Sequence, residues 1–129
     1  MLFRSTERVV FLGSIPSDQA PRIFSQADVV LVPSREEPWG LVVNEALSHG
    51  CPVIVSHACG CVPELVVDGV TGYEFSTGNA TELAQRMLQL VDVKAGADWA
   101  EPCIEHMRRF TPQAAAGQIL HGCKELAAA

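Results

Sequence analysis

Three short apolar runs stand at intervals along the chain: Val9-Val10-Phe11-Leu12, Val29-Val30-Leu31-Val32 and Pro52-Val53-Ile54-Val55-Ser56. None alternates with polar residues, and each ends at a turn former or a small-residue loop. Such runs describe strands buried on both faces. Between them lie stretches with apolar residues at helical spacing. Buried strands alternating with helices predict an α/β fold with a parallel sheet covered by helices on both sides. Ligands of such sheets bind beyond the carboxyl ends of the strands. Gly13, residues 34–40 and residues 56–60 all follow strand ends, so they are expected on one rim.

Size and charge bound the rest. A chain of 129 residues with 48% apolar content makes one cored domain, or part of a larger one. Its net charge of −6 argues against a nucleic-acid partner held through phosphate neutralisation. No apolar run is long enough to span a bilayer, and the start lacks a signal-peptide pattern. Five cysteines, an odd count, do not read as a secreted disulfide framework, so a reducing cytoplasm is the expected setting.

Residues 1–8 read as an arm. Ser17 or Asp18 is expected to cap a short helix with Ile23, Phe24 and Ala27 on one face. A helix from about Gly40 to His49 is closed by Gly50, with Leu41, Val42, Ala46 and Leu47 expected inside. Pro63-Glu64 opens a short helix, and Tyr73-Glu74-Phe75 is a fourth strand. Asn79 and Glu82 have capping-box spacing. The helix they open is expected to bury Leu83, Met87, Leu90 and Val91. Residues 98–127 read as two more helices: one with Trp99, Cys103, Met107 and Phe110 on a face, and one opened by Thr111-Pro112 with Ala116, Ile119, Leu120, Cys123 and Leu126 inward.

The chemistry concentrates in residues 33–50, PSREEPWGLVVNEALSHG. Glu37 lies in a loop and Glu45 eight positions on, inside the helix. At Trp39-Gly40 a helix begins, and its unpaired N–H groups and dipole favour an anion. A ligand with phosphates at one end and hydroxyls at the other, such as a nucleotide-sugar, would satisfy both features. Composition alone reads Glu37 as part of a solvated charge cluster, Trp39 as a packing residue and Gly40 as a turn glycine. His49, Cys51, His57, Cys59 and Cys61 lie close in sequence but lack metal-ligand spacing, so no metal is expected. Walker, Gly-x-Gly-x-x-Gly and Gly-x-Ser-x-Gly patterns are lacking.

The segment from Glu37 to Glu45, E-P-W-G-L-V-V-N-E, continues as A-L-S-H-G-C-P-V-I-V-S. With V-V-F-L-G at 9–13, A-D-V-V-L-V-P-S at 27–34, G-C-V-P-E-L-V at 60–66 and D-G-V-T-G-Y at 68–73, it resembles the glycosyl transferases group 1 family. The resemblance runs from residue 9 to about 91. It implies the Rossmann-like C-terminal, donor-binding half of a two-domain (GT-B) retaining glycosyltransferase that uses a nucleotide-sugar as substrate and needs no cofactor or metal. By position, it gives Glu37 the donor-sugar hydroxyls and Glu45 the ribose diol. Backbone around Gly40, Leu41 and Val42, beside Trp39, would meet the diphosphate or sugar, and Gly13 would lie near the base.

The same resemblance implies that the chain is N-terminally truncated. Family members have earlier strands with a basic pair that clamps the diphosphate, and a separate acceptor-binding domain. Here Arg35 is the nearest cation, away from that motif, and Cys61 replaces a usual small glycine. The exposed edge this would leave predicts self-association. A non-catalytic binding module of the same fold is the competing reading, and a Cys/His metal or redox protein is the third.

Overall fold

The computed structural model describes residues 9–94 and 98–128; the arm expected at 1–8 lies outside them. In chain order the elements are α1 (Ala20–Gln26), β1 (Val30–Val32), α2 (Leu41–Ser48), β2 (Val53–Ser56), α3 (Val62–Leu65), β3 (Gly72–Phe75), α4 (Ala80–Lys94), α5 (Ala100–Met107), a 3-10 turn (Arg108–Phe110) and α6 (Pro112–Ala128). The three strands form one parallel sheet in the order β1-β2-β3. Ile54, at the centre, stands opposite Leu31 on one side and Tyr73 on the other. All four residues of β2 are buried, as its unbroken apolar run requires.

Alternate β2 side chains feed two cores. Val53 and Val55 pack with Val43, Ala46, Leu47, Leu65, Cys103 and Met107, beneath α2 and α5. Ile54 joins Tyr73, Phe75, Leu90 and Trp99 on the opposite face, beneath α4. Trp99 meets Tyr73 edge-on, with ring centroids 6.1 Å apart, an arrangement that adds to area burial.

Several expectations are corrected. Residues 9–12 form no strand and are exposed, Phe11 at 73%. An apolar run becomes a strand only where a ladder receives it, and β1 pairs only with β2 here. α1 starts after Gln19 with no side-chain cap, so neither Ser17 nor Asp18 caps it. Leu41 and Val42 are exposed, while Val43, Ala46 and Leu47 form the inner stripe of α2. On α4, Leu90 is buried but Met87 and Val91 are not. Arg86 instead lies over the Tyr73 ring, 5.6 Å from its centroid, so the contacting line runs 83-86-90. α6 buries none of its residues, and Ile119, Leu120 and Leu126 are exposed because no described element covers that stripe.

The caps explain the helix starts that were anticipated. Asn79 Oδ1 accepts the Glu82 N–H at 3.0 Å. Glu82 does not close the box onto Asn79 N–H; its carboxylate accepts the Ser76 N–H at 2.9 Å. The Ser76 backbone and hydroxyl, with Arg86 and His57 beside it, hold Glu82 below its ordinary value. The Ala114 N–H donates to Thr111 Oγ1 at 3.1 Å, placing Pro112 in the first turn of α6.

Candidate functional site

The site is built where the parallel ladder continues past the strand ends. After β1 the chain turns through 33–36, and Glu37 pairs in parallel with Cys59, beyond the end of β2. The Glu37 N–H donates to the Ala58 carbonyl at 3.1 Å, and the Gly60 N–H donates to the Glu37 carbonyl at 2.9 Å. One step on, the Cys61 N–H donates to the Trp39 carbonyl at 3.0 Å. The loops after β1 and β2 are therefore fastened together by backbone. They touch so closely that a Cβ on Gly60 would stand 2.1 Å from the Pro38 carbonyl oxygen.

Glu37 is half-buried. One carboxylate oxygen, Oε1, accepts the Trp39 N–H at 3.3 Å, which turns the side chain toward the start of α2. Gly40 precedes that helix with φ +99°, a conformation costly for any residue with a Cβ. The Val43 N–H donates to the Gly40 carbonyl at 2.9 Å. The N–H groups of Leu41 and Val42 find no acceptor among the described residues, the usual condition of a helix start. Glu45 lies one turn on from Leu41, on the same solvent-facing side. No described residue pairs with its carboxylate. Its exposure goes with that of Leu41; of the helix neighbours expected inside, Ala46 and Leu47 are buried and Leu41 and Val42 are not.

Trp39 is a partly exposed residue with a fixed indole. Its Nε1–H donates to Asn44 Oδ1 at 2.8 Å. Asn44 was not singled out from the sequence, because a five-residue separation across a helix start matches no helical or strand period. A cleft of about 210 Å³ lies between the ends of β1 and β3 and the start of α4, lined by Pro33, Arg35, Phe75, Gly78, Ala80 and Leu83. Gly13 is not brought to the cluster by any contact, and a Cβ added there would meet nothing within 4 Å.

Two thiols form the floor. Burial pushes the Cys61 thiol up to about 11, with the neighbouring Cys59 and Glu37 adding to the effect. Burial also raises Cys59; the Ser34 hydroxyl partly offsets this and the Glu37 charge adds to it. Burial and Cys51 push Cys103 to about 12. Thiols kept protonated and buried are poor nucleophiles and poor metal ligands, and no three potential metal ligands gather among the described residues. In the native chain a thiol reagent is expected to label Cys123 fast, since the other four cysteines are buried. All five should react after denaturation. Fast native labelling of more than one would place a second thiol at the surface.

A parallel sheet with fastened loops and an open helix start at its carboxyl rim defines the Rossmann-like class of α/β domain. The chain belongs to the glycosyl transferases group 1 family, whose pattern matches residues 2–92, and its fold is that of the C-terminal domain of the GT-B architecture. It is 37% identical over 115 residues to a D-inositol 3-phosphate glycosyltransferase of Corynebacterium aurimucosum, covering 88% of this chain and 27% of that protein. Among solved structures it is similar to sucrose-phosphate synthase of Thermosynechococcus elongatus, with TM-score 0.77 and 32% identity, covering 94% of this chain and 31% of that one. It is also similar to the Anabaena protein HepE in complex with UDP and glucose, with TM-score 0.74 and 29% identity, covering 92% of this chain and 32% of that one. The chain thus spans about a quarter to a third of the length of these proteins.

Proposed function

We propose that this chain is the donor-binding part of a retaining glycosyltransferase that moves a sugar from a nucleotide-sugar to an acceptor hydroxyl. The observation that carries the reading is the rim itself: Glu37, an open helix start and Glu45 lie in sequence along one loop and one helix. The N–H groups of Leu41 and Val42 stabilise charge that grows on the departing diphosphate. Glu37 keeps Oε2 for donor-sugar hydroxyls while Oε1 is fixed on Trp39. Glu45, exposed and unpaired among the described residues, takes the ribose diol, because a carboxylate can accept from both hydroxyls of a diol. Arg35 supplies a cation on the strand-end cleft, and Gly13 lies near the base in this reading. A relative solved with UDP and glucose supports a uridine nucleotide as donor carrier.

The reading requires no cofactor or metal beyond the donor. It places the chain in the cytoplasm, a setting suited to five free thiols; no described helix is long and apolar enough to cross a membrane. An acceptor-binding domain completes the reaction. Leu31 is 37% exposed on the face where α4 packs on β2 and β3. Leu31 and, elsewhere in the chain, Val10, Phe11 and Leu12 are exposed apolar residues, which favours self-association of the isolated chain. Sedimentation should therefore give species larger than a monomer, and a monodisperse monomer would contradict this.

Calorimetric titration with UDP, GDP and ADP and their glucose or mannose conjugates tests the donor site. We expect saturable binding of one nucleotide, weakened about tenfold or more in Glu45→Ala, the loss of a hydrogen bond to a charged group. Binding that Glu45→Ala leaves unchanged would remove the ribose role. Absence of binding by any nucleotide would favour the non-catalytic module.

A further inference from the structure

A second cavity has a lining that shares no residue with the strand-end cleft. It measures about 380 Å³ and is bounded by Trp39, Asn44, Glu64, Arg109, Phe110 and Gln118. Such a volume suits a small organic ligand. Its walls come from the loop before α2, from α2 and α3, and from the turn and helix at Arg108–Phe110 and Pro112–Ala128.

The chemistry of the lining is specific. Trp39 and Phe110 offer aromatic surface, and the Trp39 indole is fixed by its bond to Asn44. Asn44 keeps both amide hydrogens, because that bond uses its oxygen. The Gln118 amide, the Glu64 carboxylate and the Arg109 guanidinium make no hydrogen bond or ion pair with a described residue; Arg109 only lies over the Phe110 ring, 5.9 Å from its centroid. The cavity thus holds uncommitted donors at Asn44, Arg109 and Gln118, and uncommitted acceptors at Glu64 and Gln118. One cation and one carboxylate leave it with no net charge. A phosphate would meet Glu64 as well as Arg109, and a purely apolar ligand would strand the polar groups unpaired.

We propose that this cavity binds a neutral sugar or cyclitol ring, with its C–H face against Trp39 and its hydroxyls on Asn44, Glu64, Arg109 and Gln118. Trp39 belongs to both sites: its indole lines the cavity, and its backbone N–H holds the Glu37 carboxylate. One residue therefore joins this second ring site to the carboxylate assigned to the donor sugar. The turn at Arg108–Phe110 and the start of α6 acquire a function that packing does not give them.

The test is saturation-transfer NMR on this chain with methyl α-D-glucopyranoside as probe. Glucose 6-phosphate serves as the charged comparison and UDP as a separate probe of the donor site. We expect saturable transfer to the glucoside, about tenfold weaker binding in Arg109→Gln and in Gln118→Leu, and unchanged UDP binding in both. Both residues are exposed, so neither change should cost the fold; a melting curve on each variant verifies this. No transfer to the glucoside, equal transfer in wild type and both variants, or tighter binding of glucose 6-phosphate would each overturn the proposal. UDP binding without glucoside binding would sink this inference alone, and glucoside binding without UDP binding would sink the donor reading alone.

Discussion

Gly72→Ala is expected to leave the chain largely unfolded. Gly72 begins β3, opposite Val53 of the central strand. A Cβ there would stand 1.8 Å from the Val53 carbonyl oxygen, 2.7 Å from its carbonyl carbon and 2.8 Å from its nitrogen. All three atoms are backbone of a fully buried strand, so no side chain can swing aside. The φ of +150° adds strain for any residue with a Cβ. Relief requires β3 to leave β2, which opens the core of Ile54, Tyr73, Phe75, Leu90 and Trp99. That belongs to the rare class of substitutions costing more than about 4 kcal/mol, comparable with the whole stability of a small domain, about 5–15 kcal/mol. Circular dichroism melting checks it. Gly117→Ala is the control, since Gly117 lies inside α6 with open space around its Cβ position. Better helix propensity should raise its stability by up to about 1 kcal/mol. A Gly72→Ala protein that melts like the parent would refute this account of the sheet.

Gly60→Ala is expected to uncouple the site from a mostly intact fold. The added Cβ would meet the Pro38 carbonyl oxygen at 2.1 Å, which forces the loops after β1 and β2 apart. The bonds from Gly60 N–H to Glu37 and from Cys61 N–H to Trp39 would lengthen or break. Two such bonds cost about 2 kcal/mol, so melting should fall yet remain cooperative. Donor binding should fall about tenfold or more, the loss of a hydrogen bond to a charged group. A variant that loses stability but binds donor normally would show that the loop stack does not position Glu37.

How much of this was legible follows from which signals are local. The runs at 29–32 and 52–56 became β1 and β2 because their meaning, burial on both faces, was realised within the described chain. The run at 9–12 carries the same pattern but lacks the ladder that would express it; a strand's existence depends on a neighbour that its own residues do not specify. The same distinction separates the helices. Caps such as Asn79 and Thr111 act within one turn and were readable. Which side of α4 touches the sheet depended on the breadth of β2 and β3 and on Arg86 lying over Tyr73, a long-range arrangement no periodicity encodes. The inner stripe expected for α6 failed for the reason that run 9–12 failed.

Around the candidate site, the helix start after Gly40 was legible, because a turn glycine before an apolar helix is a local signal. Its surroundings were not. Leu41 and Val42, apolar and expected inside, are exposed at the open start of α2. The indole bond to Asn44, the fastening of residues 37–39 to 58–61, and the cavity completed by Arg109 and Gln118 all join segments far apart in sequence or off any regular period.

The most direct test of the central claim is an amide NMR titration of the chain with UDP. The largest shifts are expected on Gly40, Leu41 and Val42, where the open N–H groups meet the diphosphate, with a smaller response at Glu45. Shifts that cluster elsewhere and leave Leu41 and Val42 still would contradict it.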